Sequence, residues 1–441
     1  MSDSDPFGPS DQDGDSPFGE INFFVQDLIR MFAGGSSGPW DNAYQIAASV
    51  ATEGQPESNV DPAGRLSIEQ LTRVAELHVS EVTGLAVDSP LSIEAMNRSQ
   101  WARRFLDDER PLLEGLSDSI GAAVRAQLQQ FEADDDSGES MFSIPGMPGI
   151  PAEQMMHQLI SMLGPMMLGV MAGGTAGQLA LRAFGCYEFP LPRPQGRSIP
   201  IVLTNIDDFA GAWSLPVDGI RLWVCVSDVA HHQVLSLSHV RTHLEALLAE
   251  YVSSFTTDPA QVEEKLREID LGDAEFGSEP ELELLQNLTS NPDQLLGAIQ
   301  SDTQRYLMDR ISTLVAVIEG YVDWVVDSIG TRLIPEFPRI TEALRRRRVE
   351  ATAANRYLER LFGLELSQST FDLGSDFITG VEVRAGATAL TELWKSEESL
   401  PTYAELRAPG LWLARLGITA DEMDLGDLGE IEIPDFPDLD S

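Results

Sequence analysis

Histidines and carboxylates crowd into one short stretch of this chain, which holds Asp228, His231, His232, His239 and His243 and thus four of the six histidines. Histidines at i and i+4 on a helix project onto the same ion, and a glutamate between them activates the bound water. That is the His-Glu-x-x-His arrangement of zinc hydrolases. Ser227-Asp228-Val229-Ala230-His231 has the right length, with serine at the first histidine position and aspartate at the glutamate position. A second pair of acids, Glu319 and Asp323, also spaced i and i+4, sits in a run that is otherwise apolar from Thr313 to Ile329. Two carboxylates on a helix expected to be mostly buried are costly unless they are paired, hydrogen-bonded or bound to a metal. Arginines such as Arg310 or Arg332 are the expected counter-charges.

Placed on one helix at about 100° per residue, Asp228, His232, Leu235, His239 and His243 share a face and His231 lies beside it. Asp228 with His232, and His239 with His243, are then the spacings compatible with a shared ion. Roughly 16 Å of helix rise separates the two pairs, so a straight helix cannot bring both to one metal. The alternative is a helix of surface and cleft histidines that titrate near neutrality and hold no specific ion.

The elements that must position these groups are mostly helical. Apolar residues at helical spacing mark segments at 21–32, 42–52, 68–83 and 92–131, and a capping-box pattern starts at Ser67. Further helical patterns run through 260–268, 281–289 and 304–329, and another follows Pro335 and Pro338 to about Phe362. Strand-like runs at Ile199–Leu203 and Ile220–Val226 predict a minor sheet leading into the histidine segment. The boundaries expected are an acidic disordered arm over 1–20, an N-terminal helical lobe over 21–131 and an acidic, Pro/Gly-rich linker over 132–150. A central region follows over 151–330, then a C-terminal lobe over 331–416 and an acidic tail over 417–441.

Composition excludes several classes. With 441 residues, 43% of them hydrophobic, the chain can bury a large core. A formal charge of -42 argues against nucleic acid as a partner. The basic run Arg345-Arg346-Arg347-Arg348 would point in four directions on a helix and is expected to be a solvated or salt-bridged surface. Cys186 and Cys225 lack Cys-x-x-Cys spacing and are expected as reduced thiols. The apolar stretch Met155 to Ala172 contains His157, Gln158, Gly164 and Pro165 and falls short of the ~20 apolar residues of a membrane span, so a buried helix pair is expected instead. With no apolar leader at Met1, a cytoplasmic location is expected.

Several quoted segments carry a resemblance. They are Asn97-Arg98 with Trp101, the run Gly177 to Ala180 and Gly185-Cys186-Tyr187-Glu188, Asn205-Ile206, Leu222-Trp223-Val224, Val240-Arg241-Thr242-His243-Leu244, and Glu319-Gly320-Tyr321-Val322-Asp323. Phe362-Gly363-Leu364, Phe377, Gly386, Trp394, Leu400-Pro401 and Trp412-Leu413 continue the series. In this order they resemble the actinobacterial zincin-like family, described as zinc-dependent metalloproteases or hydrolases, over nearly all of residues 20–416. The resemblance implies an α-rich α+β, zincin-like fold in which helical lobes surround a central cleft beside a minor β-sheet.

If one residue is deleted before Val240, the family's His-Glu-x-x-His falls on Ser227 to His231. Without the deletion it lands one position earlier and no catalytic group survives. On the first alignment the resemblance implies Asp228 in the general-base position and His231 and Glu319 as metal ligands, with His232 as a substitute ligand. Asp323, His243 and Arg241 would orient them. Aspartate in place of glutamate withdraws the carboxylate by about 1.5 Å, where a misplacement of about 1 Å can cost ~100-fold in rate. The leading expectation is therefore a pseudo-peptidase that binds a peptide or protein partner in its cleft. The alternatives are an active zinc- or manganese-dependent hydrolase with a nonstandard ligand set, manganese being favoured by an oxygen-rich site, and a purely structural or assembly role with the acidic arms as docking segments; for the cofactor, zinc, manganese and no metal all stay open.

Overall fold

The computed structural model describes residues 39–85, 91–134, 169–196, 198–254 and 301–418. Helix α1 (Pro39–Ala51) precedes α2 (Pro62–Thr83). The start of α2 is set by Asp61, whose carboxylate accepts from the Ala63 and Gly64 N–H groups, with Pro62 in the first turn; its end is set by Gly84 at φ 65. The helix therefore begins before the capping-box pattern at Ser67.

Strand β1 (Ile93–Met96) occupies the beginning of what the sequence predicts as helix, and α3 (Arg98–Asp134) follows once Asn97 has capped it through the Gln100 N–H at 3.0 Å. Because α3 reaches Asp134, the first residues of the expected linker are helical. A helix α4 at 169–180 leads into an irregular stretch at 183–194 and then β2 (Ile199–Val202). The two strands pair in parallel, Ile93 opposite Ile199 through Met96 opposite Val202. The minor sheet is thus real, but its second strand is not Ile220–Val226. Those residues lie inside α6 (Val217–Ser236), which follows α5 (Leu203–Trp213).

The histidine segment is two helices rather than one. Leu237, at φ -62 and ψ 125, ends α6 and caps α7 (Ser238–Ser253), so His239 and His243 leave the direction set by His231. Helix α8 (Asp302–Leu333) starts at a capping box made by Ser301 and Gln304. It is buried almost all round from Thr313 to Val326, as befits the central helix of a multi-helix core. The predicted helix after Pro335 is α9 (Phe337–Val349) and α10 (Ala353–Phe362), divided where Thr352 caps the second. Helix α11 (Gln368–Ala385) crosses α8 so closely that a Cβ at Gly320 would overlap the backbone of Gly374. Two 3-10 helices (Ala387–Trp394 and Glu397–Ser399), α12 (Tyr403–Arg407) and α13 (Pro409–Arg415) complete the described chain.

Buried residues from α1 through α13 form one hydrophobic cluster with α8 at its centre. Cys186 and Cys225 are buried free thiols. No described helix is long and apolar enough to cross a membrane. The expected arm at 1–20, the 21–32 segment, residues 135–150 of the linker, nearly all of the Met155–Ala172 pair, the 260–268 and 281–289 patterns and the tail beyond 418 lie outside the described residues.

Candidate functional site

Helix α6 presents Trp223, Ser227, Asp228 and His231 to a cleft, since these recur every three or four residues. Helix α8 presents Glu319 and Asp323, and the last turn of α9 brings Arg347 and Arg348. Residues 184–188 close one wall, and the cleft holds a cavity of about 100 Å³ that opens to solvent.

His231 is buried between two acceptors. Its Nδ1 lies 2.9 Å from the Ser227 carbonyl, so Nδ1 must donate, and its Nε2 lies 3.2 Å from Glu319 Oε1. With Nδ1 protonated, a neutral ring would turn an Nε2 lone pair toward a carboxylate. Either a proton or a cation has to lie between them. Burial opposes charge on His231, but the Glu319 carboxylate, with help from Asp228, outweighs it and holds the ring above the ordinary histidine range. Tyr187 stacks on the imidazole with centroids 5.5 Å apart.

The other oxygen of Glu319 accepts from Arg348 Nη1 at 3.3 Å, and Arg348 grips Asp323 with both terminal nitrogens at 3.1 and 2.8 Å. The guanidinium lies over the Phe371 ring at 3.8 Å. The counter-charge of the buried acids is therefore Arg348, not Arg310 or Arg332. Neighbouring arginines of the run divide their roles. Arg345 pairs with Asp327 and Arg346 with Glu342 at the surface, whereas Arg347 stands over Phe184 and reaches Glu188 at 2.8 Å. All four arginines of the run are salt-bridged, in keeping with the solvated or salt-bridged helix expected, but Arg347 and Arg348 make their pairs at the cleft. Ile340 and Leu344 are buried at four-residue spacing, and Arg348 continues that stripe into the core face of α9.

Asp228 sits beneath the irregular wall. Its Oδ2 accepts the Cys186 N–H at 3.3 Å, and a Cβ on Gly185 would overlap the carboxylate, so glycine is required there. Burial pushes the Asp228 carboxyl up to about 7 against the opposing pull of His231. The wall itself is held by Trp101 Nε1, which donates to the Gly185 carbonyl at 2.9 Å, and by buried Arg193, which binds the Cys186 carbonyl and Glu109.

His231, Glu319, Asp323 and Asp228 thus share one cleft. His232 does not line the cleft: its Nδ1 shares a hydrogen bond with the Tyr187 hydroxyl at 2.9 Å, and burial, aided by Arg241, depresses it to about 4. The predicted same-face pairing of Asp228 with His232 is replaced by Asp228 with His231. His243 pairs with Glu397 at 2.8 Å on α7, and Arg241 reaches Glu245 at 3.4 Å; neither touches Glu319. Sequence reasoning missed Arg348, Arg347, Tyr187 and Gly185 as site residues, and only the Ile340–Leu344 stripe could have pointed to the first. Among the described residues, no grouping of three or more His, Cys, Asp or Glu side chains is arranged to hold a metal ion.

The sequence profile of the zincin-like metallopeptidases matches residues 39–413. The chain belongs to the zincin-like metallopeptidase family. The crystal structure of "a putative hydrolase with a novel fold" from Chloroflexus aurantiacus superposes with a TM-score of 0.57 at 22% identity, covering 86% of this chain and 98% of that one. At that identity the likeness is one of fold. No curated protein matches this zincin-like chain.

Proposed function

We propose that this zincin-like protein has a degenerate zinc site and binds a peptide or protein partner in the cleft between α6, α8 and α9. A catalytic zinc keeps three protein ligands and an open position. His231 and Glu319 offer two, and the helical position that would supply the third carries Ser227. The observation that carries the reading is Arg348. Its guanidinium binds Glu319 and Asp323 from within the cleft and, together with a protonated His231, balances their two negative charges, which leaves no net negative charge there to draw in a metal ion. The donor set therefore does not fit a catalytic zinc. Asp228, pinned to the Cys186 N–H, is a poor match for a general base that must meet a metal-bound water.

A second reading, an active zinc- or manganese-dependent hydrolase, has one observation in its favour. Ligands of a tetrahedral zinc at about 2.0–2.1 Å lie roughly 3.3 Å apart, close to the 3.2 Å between His231 Nε2 and Glu319 Oε1. The Nδ1 contact with the Ser227 carbonyl is also one that ligating histidines make. Elemental analysis of untagged protein, beside a His231→Ala/Glu319→Ala double variant, separates the two. The proposal expects no stoichiometric zinc or manganese in either protein. A stoichiometric ion present in the wild type and lost in the double variant would overturn the degenerate site and revive the hydrolase reading, which a peptide-library activity screen then tests.

A further inference from the structure

His231 and Glu319 are 4% and 5% exposed, and the cavity beside them holds about 100 Å³, well below the roughly 300 Å³ at which ligand pockets begin. A partner that reaches these groups must therefore displace part of the cleft wall. A second cavity of about 230 Å³ shares Arg182, Phe184, Arg347 and Glu350 with the first, so these four residues are the partition between the two. Together the cavities reach the size of a ligand pocket. Aromatic rings line the second one: Phe184 meets Phe209 edge-on at 5.4 Å, and Phe209 meets Trp213 at 5.8 Å, with Trp213 exposed at the surface.

The two sides of the partition are held differently. Residues 183–187 are buried without a break, and their backbone is pinned from behind by Trp101 and Arg193. On the opposite side, no residue from Arg345 to Ala353 is buried. This segment, the last turn of α9 and its link to α10, is a strap held to the wall by polar contacts. Arg347 donates to Glu188 at 2.8 Å and to the Arg182 carbonyl, its guanidinium covers Phe184 at 3.7 Å, and Arg182 donates in return to the Glu350 carbonyl at 2.9 Å. Segments with few buried apolar contacts open locally at far lower cost than a core does, and water can replace each of these bonds. Arg348 is anchored by the buried acids Glu319 and Asp323, so the opening runs between Arg347 and residues 182–188.

We infer that Arg182, Arg347 and Glu350 form a gate. Release of Arg347 from Glu188, and of Arg182 from the Glu350 carbonyl, lifts the strap off the wall, joins the two cavities and admits a peptide side chain from the Trp213 side to His231 and Glu319. This deepens the partner-binding reading and rests on it. Closed and open forms are in equilibrium, so the fraction open sets how fast any molecule reaches the cleft floor.

The test reads that fraction without any peptide. Full-length protein carrying Ser227→Cys on the cleft floor is exposed to fluorescein maleimide, which is too bulky for the closed cavity, and labelling is followed at each cysteine by mass spectrometry. Val322→Cys, in the same cleft, repeats the readout, and thermal melts verify that the variants fold. Cys225, 0% exposed and two residues from position 227, reports unfolding. Position 227 is expected to label while Cys225 stays protected. Arg347→Met keeps the bulk of the partition but gives up its hydrogen bonds, and it is expected to speed labelling at 227 about tenfold. Arg182→Met is expected to act in the same direction, and Arg346→Met, whose pair with Glu342 lies at the surface, to change nothing. Labelling at 227 that never outpaces Cys225, or that both gate variants leave unchanged, overturns the gate. Because no partner is present, that failure leaves the peptide-binding reading standing, whereas stoichiometric metal beside the expected labelling removes the degenerate site and keeps the gate.

Discussion

Two histidine–carboxylate groupings arise from adjacent helices and share almost no chemistry. On α6, His231 faces Glu319, and both are buried, at 4% and 5% exposure, with Arg348 bound to the same carboxylate. On α7, His243 pairs with Glu397, which is exposed, while His239 Nε2 is shielded from solvent and has no hydrogen-bond partner among the described residues. Residue type and spacing are alike, since each grouping offers imidazole and carboxylate within reach. What separates them is the supply of counter-charge in a dry environment. In the first, each charge is held by another and removal of any one exposes the rest to an uncompensated burial cost. In the second, water can solvate whatever is left.

The comparison is broken most directly by removing the cation. Arg348→Ala leaves Glu319 and Asp323 buried beside one another with only His231 to answer them, and it is expected to lower unfolding free energy by about 3 kcal/mol, the lower end for a buried pair because Arg348 itself is partly accessible. Arg345→Ala, three residues earlier, removes an exposed pair with Asp327 and is expected to cost no more than about 1 kcal/mol. Urea denaturation of both variants measures the contrast. Equal losses would mean that the buried cluster is no more interdependent than the surface.

Titration sharpens it next. The Asp228 carboxyl is raised to about 7 by burial, so the folded state holds this proton more tightly than the unfolded state does. Its contribution to stability is present below the unfolded value near 4 and is lost as pH rises from about 4 to about 7. His231, also raised, acts in the same sense: its contribution is full below the unfolded value near 6.5 and is lost as pH rises through its folded value. His232, depressed to about 4, acts oppositely, costing stability as pH falls below about 6.5. Asp228→Asn should therefore flatten the stability profile between about pH 4 and pH 7 and gain on the order of 1 kcal/mol at about pH 8. Chemical denaturation across that range measures it; a variant whose profile parallels the wild type would show that Asp228 is ionised in the fold without cost.

The same contrast explains what the sequence could and could not disclose. The interior of α8 was legible, 304–329 against Asp302–Leu333, because an unbroken apolar run needs no partner to declare itself. Glu319 and Asp323 were legible as an anomaly within it, and their joint place in the cleft with His231 and Asp228 followed the resemblance. The break at Leu237 was not legible, because no glycine or proline separates Val217 from Ser253 after Gly219, and the turn is made by an ordinary leucine in extended conformation. Strand β1 was absorbed into the helix after it, since four residues ending at Met96 acquire strand character only by pairing with β2, far away in sequence. Arg348 was hidden by its neighbours: within a run of four arginines, composition reads as surface, and only helical phase distinguishes the inward one.

The smallest effect tests whether the α7 grouping carries any weight at all. His243→Ala removes a pair in which Glu397 is 59% exposed, and the expected loss is within about 1 kcal/mol, screened further by salt. His239 supplies the more demanding half of the argument. A shielded ring nitrogen without a partner contributes nothing favourable, so His239→Leu, which replaces it with apolar bulk, should be neutral or slightly stabilising by up to about 1 kcal/mol. The corresponding change at His231 should destabilise strongly, because it strips Glu319 of one of its two counter-charges. Opposite signs for the same substitution on consecutive helices are what the comparison requires. A loss at His239 as large as at His231 would mean that α7, too, holds a built site.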